Sequence, residues 1–249
     1  MTTSLLEPRE RVPVGPGEVA ARCGRPARVL TVHLLGPIDV RLDGESLDLG
    51  GPQQRSVVAH LALEAGHVVS VERLIDRLWG DEPPRTPLGT LQSYVSRLRR
   101  AVEPRRASGA APEVLVSEAP GYVLRVDPAQ VDVHRFRSLL DDARDAGERG
   151  DHLAALAALD EALGLWRGPA LAGVGNDDLV RPIVVRLEEE RDAALAERFE
   201  TLLALGRHHE AIPQLQSAVD AQPLHERLWA LLALALYRGS RQADALRAV

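Results

Sequence analysis

The 249-residue sequence contains no lysine; all 30 residues in its Lys+Arg count are arginine. That absence excludes several activities at once. A P-loop needs a lysine on the β- and γ-phosphates, a protein kinase its strand lysine, and a pyridoxal enzyme a Schiff-base amine. Cysteine is nearly absent as well. Cys23 stands alone, so no intrachain disulfide can form, and the chain reads as a protein of a reducing cytoplasm. Long hydrophobic runs are missing. The longest, Leu228 to Tyr237, is about half of what a bilayer crossing needs, so no membrane partner is expected. Residues 1–27 lack the apolar core of a signal peptide and are expected to form a disordered leader.

Metal-ligating and nucleophilic patterns are missing too. His208 and His209 are adjacent, so on a helix they point about 100° apart and do not easily share an ion. Glu188-Glu189-Glu190 reads as a solvated helix face. Gly15-Pro16-Gly17 has no strand before it, and no Gly-x-Ser-x-Gly elbow occurs. Trp79, Trp166 and Trp229 interrupt apolar helix faces and read as core anchors. The expectation is a protein with no catalysis of its own, no cofactor and no metal.

What is present fits a soluble globular fold, with 45% hydrophobic and 27% charged residues. The net charge of −6 alone argues against a nucleic-acid binder, but the charge is unevenly placed. Residues 128–249 carry 14 arginines against 20 acids, whereas 28–127 carry 12 against 13. Within that first half, Arg85 to Arg106 holds six arginines and only one acid, Glu103. A local basic stripe is what phosphate binding requires, whatever the global sign.

The hydrophobic pattern changes along the chain. In 28–50 it alternates, with Leu30, Val32 and Leu34, then Ile38, Val40 and Leu42, a turn at Asp43-Gly44, and a return through Leu47 and Leu49. Helices follow. The first begins at Gly51-Pro52, with proline at the first helical position; the second begins after Ser70 as N-cap and ends at Trp79-Gly80. A third carries Leu88, Leu91, Val95, Leu98 and Val102, stepping by three and four into one apolar stripe. Val114-Leu115-Val116 and Tyr122 to Val126 then flank Pro120-Gly121 as a β-hairpin. From Asp132 onward the pattern is helical throughout. Gly206 to Ile212 recurs as Ser240 to Leu246, an offset of 34 residues, with a fainter echo at Gly150. That period predicts stacked helix pairs of the tetratricopeptide kind.

On the third helix, Thr86, Thr90, Ser93, Arg97 and Arg100 fall opposite the apolar stripe. Gln92 and Ser96 lie on its flanks and Arg99 nearer the core edge. Thr, Ser and Gln can bond base edges, and Arg can grip guanine or phosphate. The same face also suits a solvated surface. The preceding helix-turn unit and the following hairpin favour a winged helix.

Residues 28–127 resemble the OmpR-type winged-helix DNA-binding domain, through Leu74 to Gly80, Tyr94 to Arg100, and Gly121-Tyr122. Val131 to Phe136 and Leu165 to Leu171 are similar to the bacterial transcriptional activator domain, here 128–249. In this order the pair resembles the Streptomyces antibiotic regulatory protein family. The resemblance implies an α+β winged helix-turn-helix domain followed by an all-α tetratricopeptide-like repeat domain. It implies an activator of secondary-metabolite clusters that binds double-stranded DNA at direct repeats as a side-by-side homodimer and recruits RNA polymerase. The third helix becomes the recognition helix, with Arg97, Ser93 and Thr90 reading bases and Gln92 and Ser96 as further DNA-binding residues. Arg99, Arg100 and Arg55 become phosphate contacts, and Tyr122 and Arg125 wing contacts. Where such wings often carry a base after Gly-Tyr, this chain has Val123, with Arg125 two residues on. The loop Asp81, Glu82, Pro83 corresponds to the stretch offered to the polymerase sigma or alpha subunits; a proline-rich spacer is the other reading of it. The competing function is an interaction scaffold, or a ligand-sensing regulator, whose winged helix docks protein rather than DNA. The short last helix, still in helical step at Val249, suggests a fragment of a longer protein.

Overall fold

The computed structural model describes residues 28–175 and 177–248. The expected leader 1–27, with Cys23 and Gly15-Pro16-Gly17, and Val249 lie outside the described residues. The alternating N-terminal segment forms β1 (Leu30–His33), β2 (Asp39–Leu42) and β3 (Glu45–Ser46), an antiparallel sheet in the order β1-β2-β3. Val32 pairs with Val40, and both side chains are buried on the inner face, as a period of two dictates. Helix α1 (Pro52–Ala62) begins after Gly51 with proline at its first position. Helix α2 (Val71–Trp79) is capped by Ser70, whose hydroxyl accepts from the Arg73 N–H at 3.2 Å.

Helix α3 (Pro87–Val102) buries Leu91, Val95, Leu98 and Val102 against the helices and the wing. Each such side chain contributes about 1.5–3 kcal/mol of transfer free energy. Leu88 departs from the expected stripe. It is 49% exposed, because the first turn of α3 projects past the elements that cover the rest.

The hairpin is β5 (Leu115–Glu118) and β6 (Gly121–Leu124), and it gains a strand that the sequence pattern does not announce. Val69–Ser70 forms β4 and pairs with Tyr122 and Gly121, giving a second sheet in the order β4-β6-β5. Gly121 is required there: a Cβ would fall inside the contact radius of the Val69 carbonyl oxygen.

The helical half comprises α4 (Asp132–Glu148), α5 (His152–Gly164), α6 (Asp177–Ala204), α7 (His208–Ala221), α8 (Glu226–Arg238) and α9 (Gln242–Ala245). The repeat has a physical counterpart in the helix ends. Gly150, Gly206 and Ser240 are each left-handed, with φ of 74°, 73° and 62°. After each, the next N–H reaches back five residues: Asp151 to Ala146, Arg207 to Leu202, and Arg241 to Leu236. This is the Schellman stop, used three times. Arg207 pairs with Glu210, and Arg241 with Asp244, in the same register.

Two cores result. One runs without interruption from β1 through the winged helix into α4, α5 and the first part of α6, and includes Trp166 packed edge-on against Phe136 at 5.6 Å. The other joins α6 to α7, α8 and α9, with Trp229 at its edge. The two halves are fastened by backbone as well. Val32 bridges Val131, Pro37 bridges Ala172, and the Arg167 N–H donates to the Leu35 carbonyl at 2.7 Å.

Candidate nucleic-acid interface

Burial of one stripe of α3 forces the opposite stripe outward. Gln92, Ser93, Ser96, Arg97 and Arg100 are exposed, and Thr90 is partly so. With Gly89, the first five line one open depression of 350 Å³ along the helix. The Thr90 hydroxyl donates to the Thr86 carbonyl and the Ser93 hydroxyl to the Gly89 carbonyl, each at 3.0 Å, so their oxygens stay free to accept. Arg97 makes no ion pair among the described residues, and Arg100 only a long contact of 3.5 Å to the Ser96 carbonyl. The face therefore presents two uncommitted guanidiniums and no acid.

Arg99 has a different place from the phosphate contact expected of it. Its Nε donates to the Leu115 carbonyl at 2.7 Å and its Nη2 to the Ser117 hydroxyl at 2.8 Å. Its guanidinium lies 6.0 Å from the centre of the Tyr122 ring. Burial lowers its pKa from the ordinary arginine value, with the Tyr122 oxygen acting the other way. The side chain braces the end of α3 against the wing. Tyr122, expected at the DNA, is only 7% exposed and forms part of the core beneath that brace.

The wing offers little free positive charge. Arg125 lies just past β6, exposed, with its Nη2 at 3.4 Å from the Glu118 carboxylate across the hairpin. Arg55 is engaged at the seam: its Nη1 lies against Gly173 in the helical half, and the adjacent Ser56 bonds Gly175. Asp81, Glu82 and Pro83 are all exposed between α2 and α3. Gly80 before them packs on Leu179 of α6, and Trp79 and Tyr94 pack at 6.3 Å across the two helices. The loop thus spaces the helices and also presents its acids to solvent.

One buried site lay outside the sequence reasoning. The Asp132 carboxylate, 4% exposed, accepts from the Leu34 and Leu35 N–H groups and lies 3.8 Å from the Arg167 guanidinium. Burial raises its pKa, and the Leu35 and Leu34 N–H groups oppose that rise. The one available signal was an aspartate set between two valines, Val131 and Val133.

Family models match in the order this geometry suggests. Residues 44–124 match the family described as transcriptional regulatory protein, C terminal, and residues 131–248 match the bacterial transcriptional activator domain. The regulatory protein DnrI of Streptomyces peucetius is 40% identical over 222 residues, which cover 88% of this chain and 82% of DnrI. The chain belongs to the Streptomyces antibiotic regulatory protein family. Another relative, the regulatory protein AfsR of Streptomyces coelicolor, is 41% identical over 218 residues, covering 87% of this chain but 21% of AfsR. Among solved structures, Mycobacterium tuberculosis EmbR in complex with a low affinity phosphopeptide superposes with a TM-score of 0.83 at 33% identity. That match covers 89% of this chain and 58% of the EmbR chain. As a member of this family the chain is a transcriptional regulator, with an OmpR-type winged helix followed by a helical activator domain. No helix among the described residues is long and apolar enough to cross a membrane.

Proposed function

We propose that the protein activates transcription of a secondary-metabolite cluster by binding direct repeats in double-stranded DNA through α3. The single observation that carries this reading is the acid-free outer face of α3, with Arg97 and Arg100 uncommitted beside Gln92, Ser93 and Ser96. Arg97, Ser93, Thr90, Gln92 and Ser96 address base edges in the major groove, and Arg100 grips a phosphate. Arg99, Tyr122 and Arg55 act by position: the first two hold the wing on α3, and the third lies at the seam with the helical half. Arg125 reaches a phosphate only by leaving Glu118. Two chains sit side by side on adjacent repeats. Asp81, Glu82 and Pro83, with the exposed Leu88 at the start of α3, offer an acidic and partly apolar surface to a basic face of RNA polymerase.

The test is fluorescence anisotropy with a duplex carrying two direct repeats, across a salt series. Each phosphate neutralised adds about −0.9 to the log–log slope. Arg97→Ala is expected to remove most of the preference for the repeat over random DNA while leaving the fold intact. Absence of binding by the folded protein at low salt would overturn the reading.

A further inference from the structure

A recess outside the α3 face lies between the N-terminal sheet and the end of α3. It measures 580 Å³, within the range of small-molecule sites, which run from about 300 to 1,000 Å³. Leu30 and Leu42 of the sheet form one wall. Val102, the last residue of α3, and Val114, just before β5, form the other, and the loop at Ala107 to Ala111 forms the rim.

Its polar groups are asymmetrically committed. Glu103, the C-cap of α3, is turned inward: its Oε1 accepts from the Glu113 and Val114 N–H groups at 2.6 and 2.8 Å, and Arg106 stands 3.6 Å from its Oε2. Oε1 closes the loop onto the helix, while Oε2 is buried with no hydrogen-bond partner among the described residues and is balanced only by the Arg106 charge. Arg28 makes only a long contact of 3.8 Å to Asp43. Arg105 makes no ion pair among the described residues. The exposed Glu113 is the one remaining acid of the lining, so the mouth has a net excess of positive charge over an apolar floor.

We infer that this recess binds a small amphipathic anion, an apolar ring system or chain carrying one carboxylate, phenolate or sulfonate. The apolar body lies on Leu30, Leu42, Val102 and Val114, and the anion meets Arg105 and Arg28. Because the floor includes the last residue of α3 and the base of the wing, occupancy changes the affinity of α3 for DNA. That consequence rests on the DNA-binding reading above; the ligand site itself does not.

The probes are 8-anilinonaphthalene-1-sulfonate and N-phenyl-1-naphthylamine, which share a ring system and differ by the sulfonate. Fluorescence titration of the full chain is expected to show one saturable site for the sulfonate. Arg105→Ala should weaken the sulfonate by up to about fivefold, the value of one exposed ion pair, and leave the neutral probe unchanged. Ala107→Trp and, from the opposite wall, Leu42→Trp should fill the recess and abolish both, with thermal melts confirming that each variant folds. Non-saturable binding, or binding that survives both filled variants, overturns the site; equal loss of both probes in Arg105→Ala overturns the anion. In the second arm, saturating sulfonate is expected to shift the duplex dissociation constant by about fivefold or more in the native chain and not in Ala107→Trp. An unchanged constant overturns the coupling to α3. Failure to bind DNA at all, with the titration intact, is failure of the DNA-binding reading alone.

Discussion

The carboxylate of Asp132 accepts a bifurcated hydrogen bond from the Leu34 N–H, at 2.7 and 2.8 Å to its two oxygens, across 98 residues of sequence. Leu34 lies in the turn between β1 and β2, and Asp132 opens α4. The bond therefore joins the winged-helix half to the helical half at a buried point, and the Leu35 N–H adds a third contact at 3.0 Å. Asp132→Ala would leave two buried N–H donors without an acceptor. At about 1–3 kcal/mol for each, the expected loss is about 2–6 kcal/mol in urea unfolding. Asp132→Asn keeps one acceptor oxygen and should lose less; equal losses would count against the acceptor role.

The same seam sets a limit on dissection of the chain. Val32, Leu34 and Leu35 are buried in a core completed by Val131, Val133, Phe136 and Leu171. A chain ended at Asp127 would expose those side chains and orphan the Leu34 and Leu35 N–H groups. It is expected to lack a cooperative thermal transition where the full chain has one. A sharp melt of the short chain would show that the N-terminal sheet stands alone.

Arg97 and Arg99 are two residues apart and should fail in opposite ways. Arg97→Ala is expected to weaken specific DNA binding without moving the melting temperature. Arg99→Ala removes the donors to the Leu115 carbonyl and the Ser117 hydroxyl, and should cost about 1–3 kcal/mol of stability. Anisotropy and melting on both variants separate contact from bracing.

His60, on α1, is buried with neither ring nitrogen hydrogen-bonded among the described residues. Burial first, and the nearby Arg77 guanidinium second, push its pKa down to about 4. The unfolded chain takes up the proton near pH 6.5, while the folded one resists until about 4. Stability from this group is thus complete above pH 6.5 and is lost as pH falls through that window, with about 2 kcal/mol gone by pH 5. Urea midpoints at pH 7 and 5 measure the loss, and His60→Leu should flatten it.

Local periodicity by itself determined much of this protein. The stripe of Leu91, Val95, Leu98 and Val102 placed Ser93, Arg97 and Arg100 outward, and the 34-residue offset between Gly206 and Ser240 announced stacked helix pairs, because helix periodicity acts within a few residues. Tertiary structure alone decided what covers each side chain. Leu88 has the right spacing for the core, but nothing lies over the first turn of α3. Tyr122 was drawn under Arg99 when β4, a two-residue strand without a pattern of its own, paired with β6. Arg99 turned from solvent to the wing because the Leu115 carbonyl came within reach. Asp132 found Leu34 only once the chain had closed on itself, and no spacing along the sequence encodes a bond between residues 98 apart.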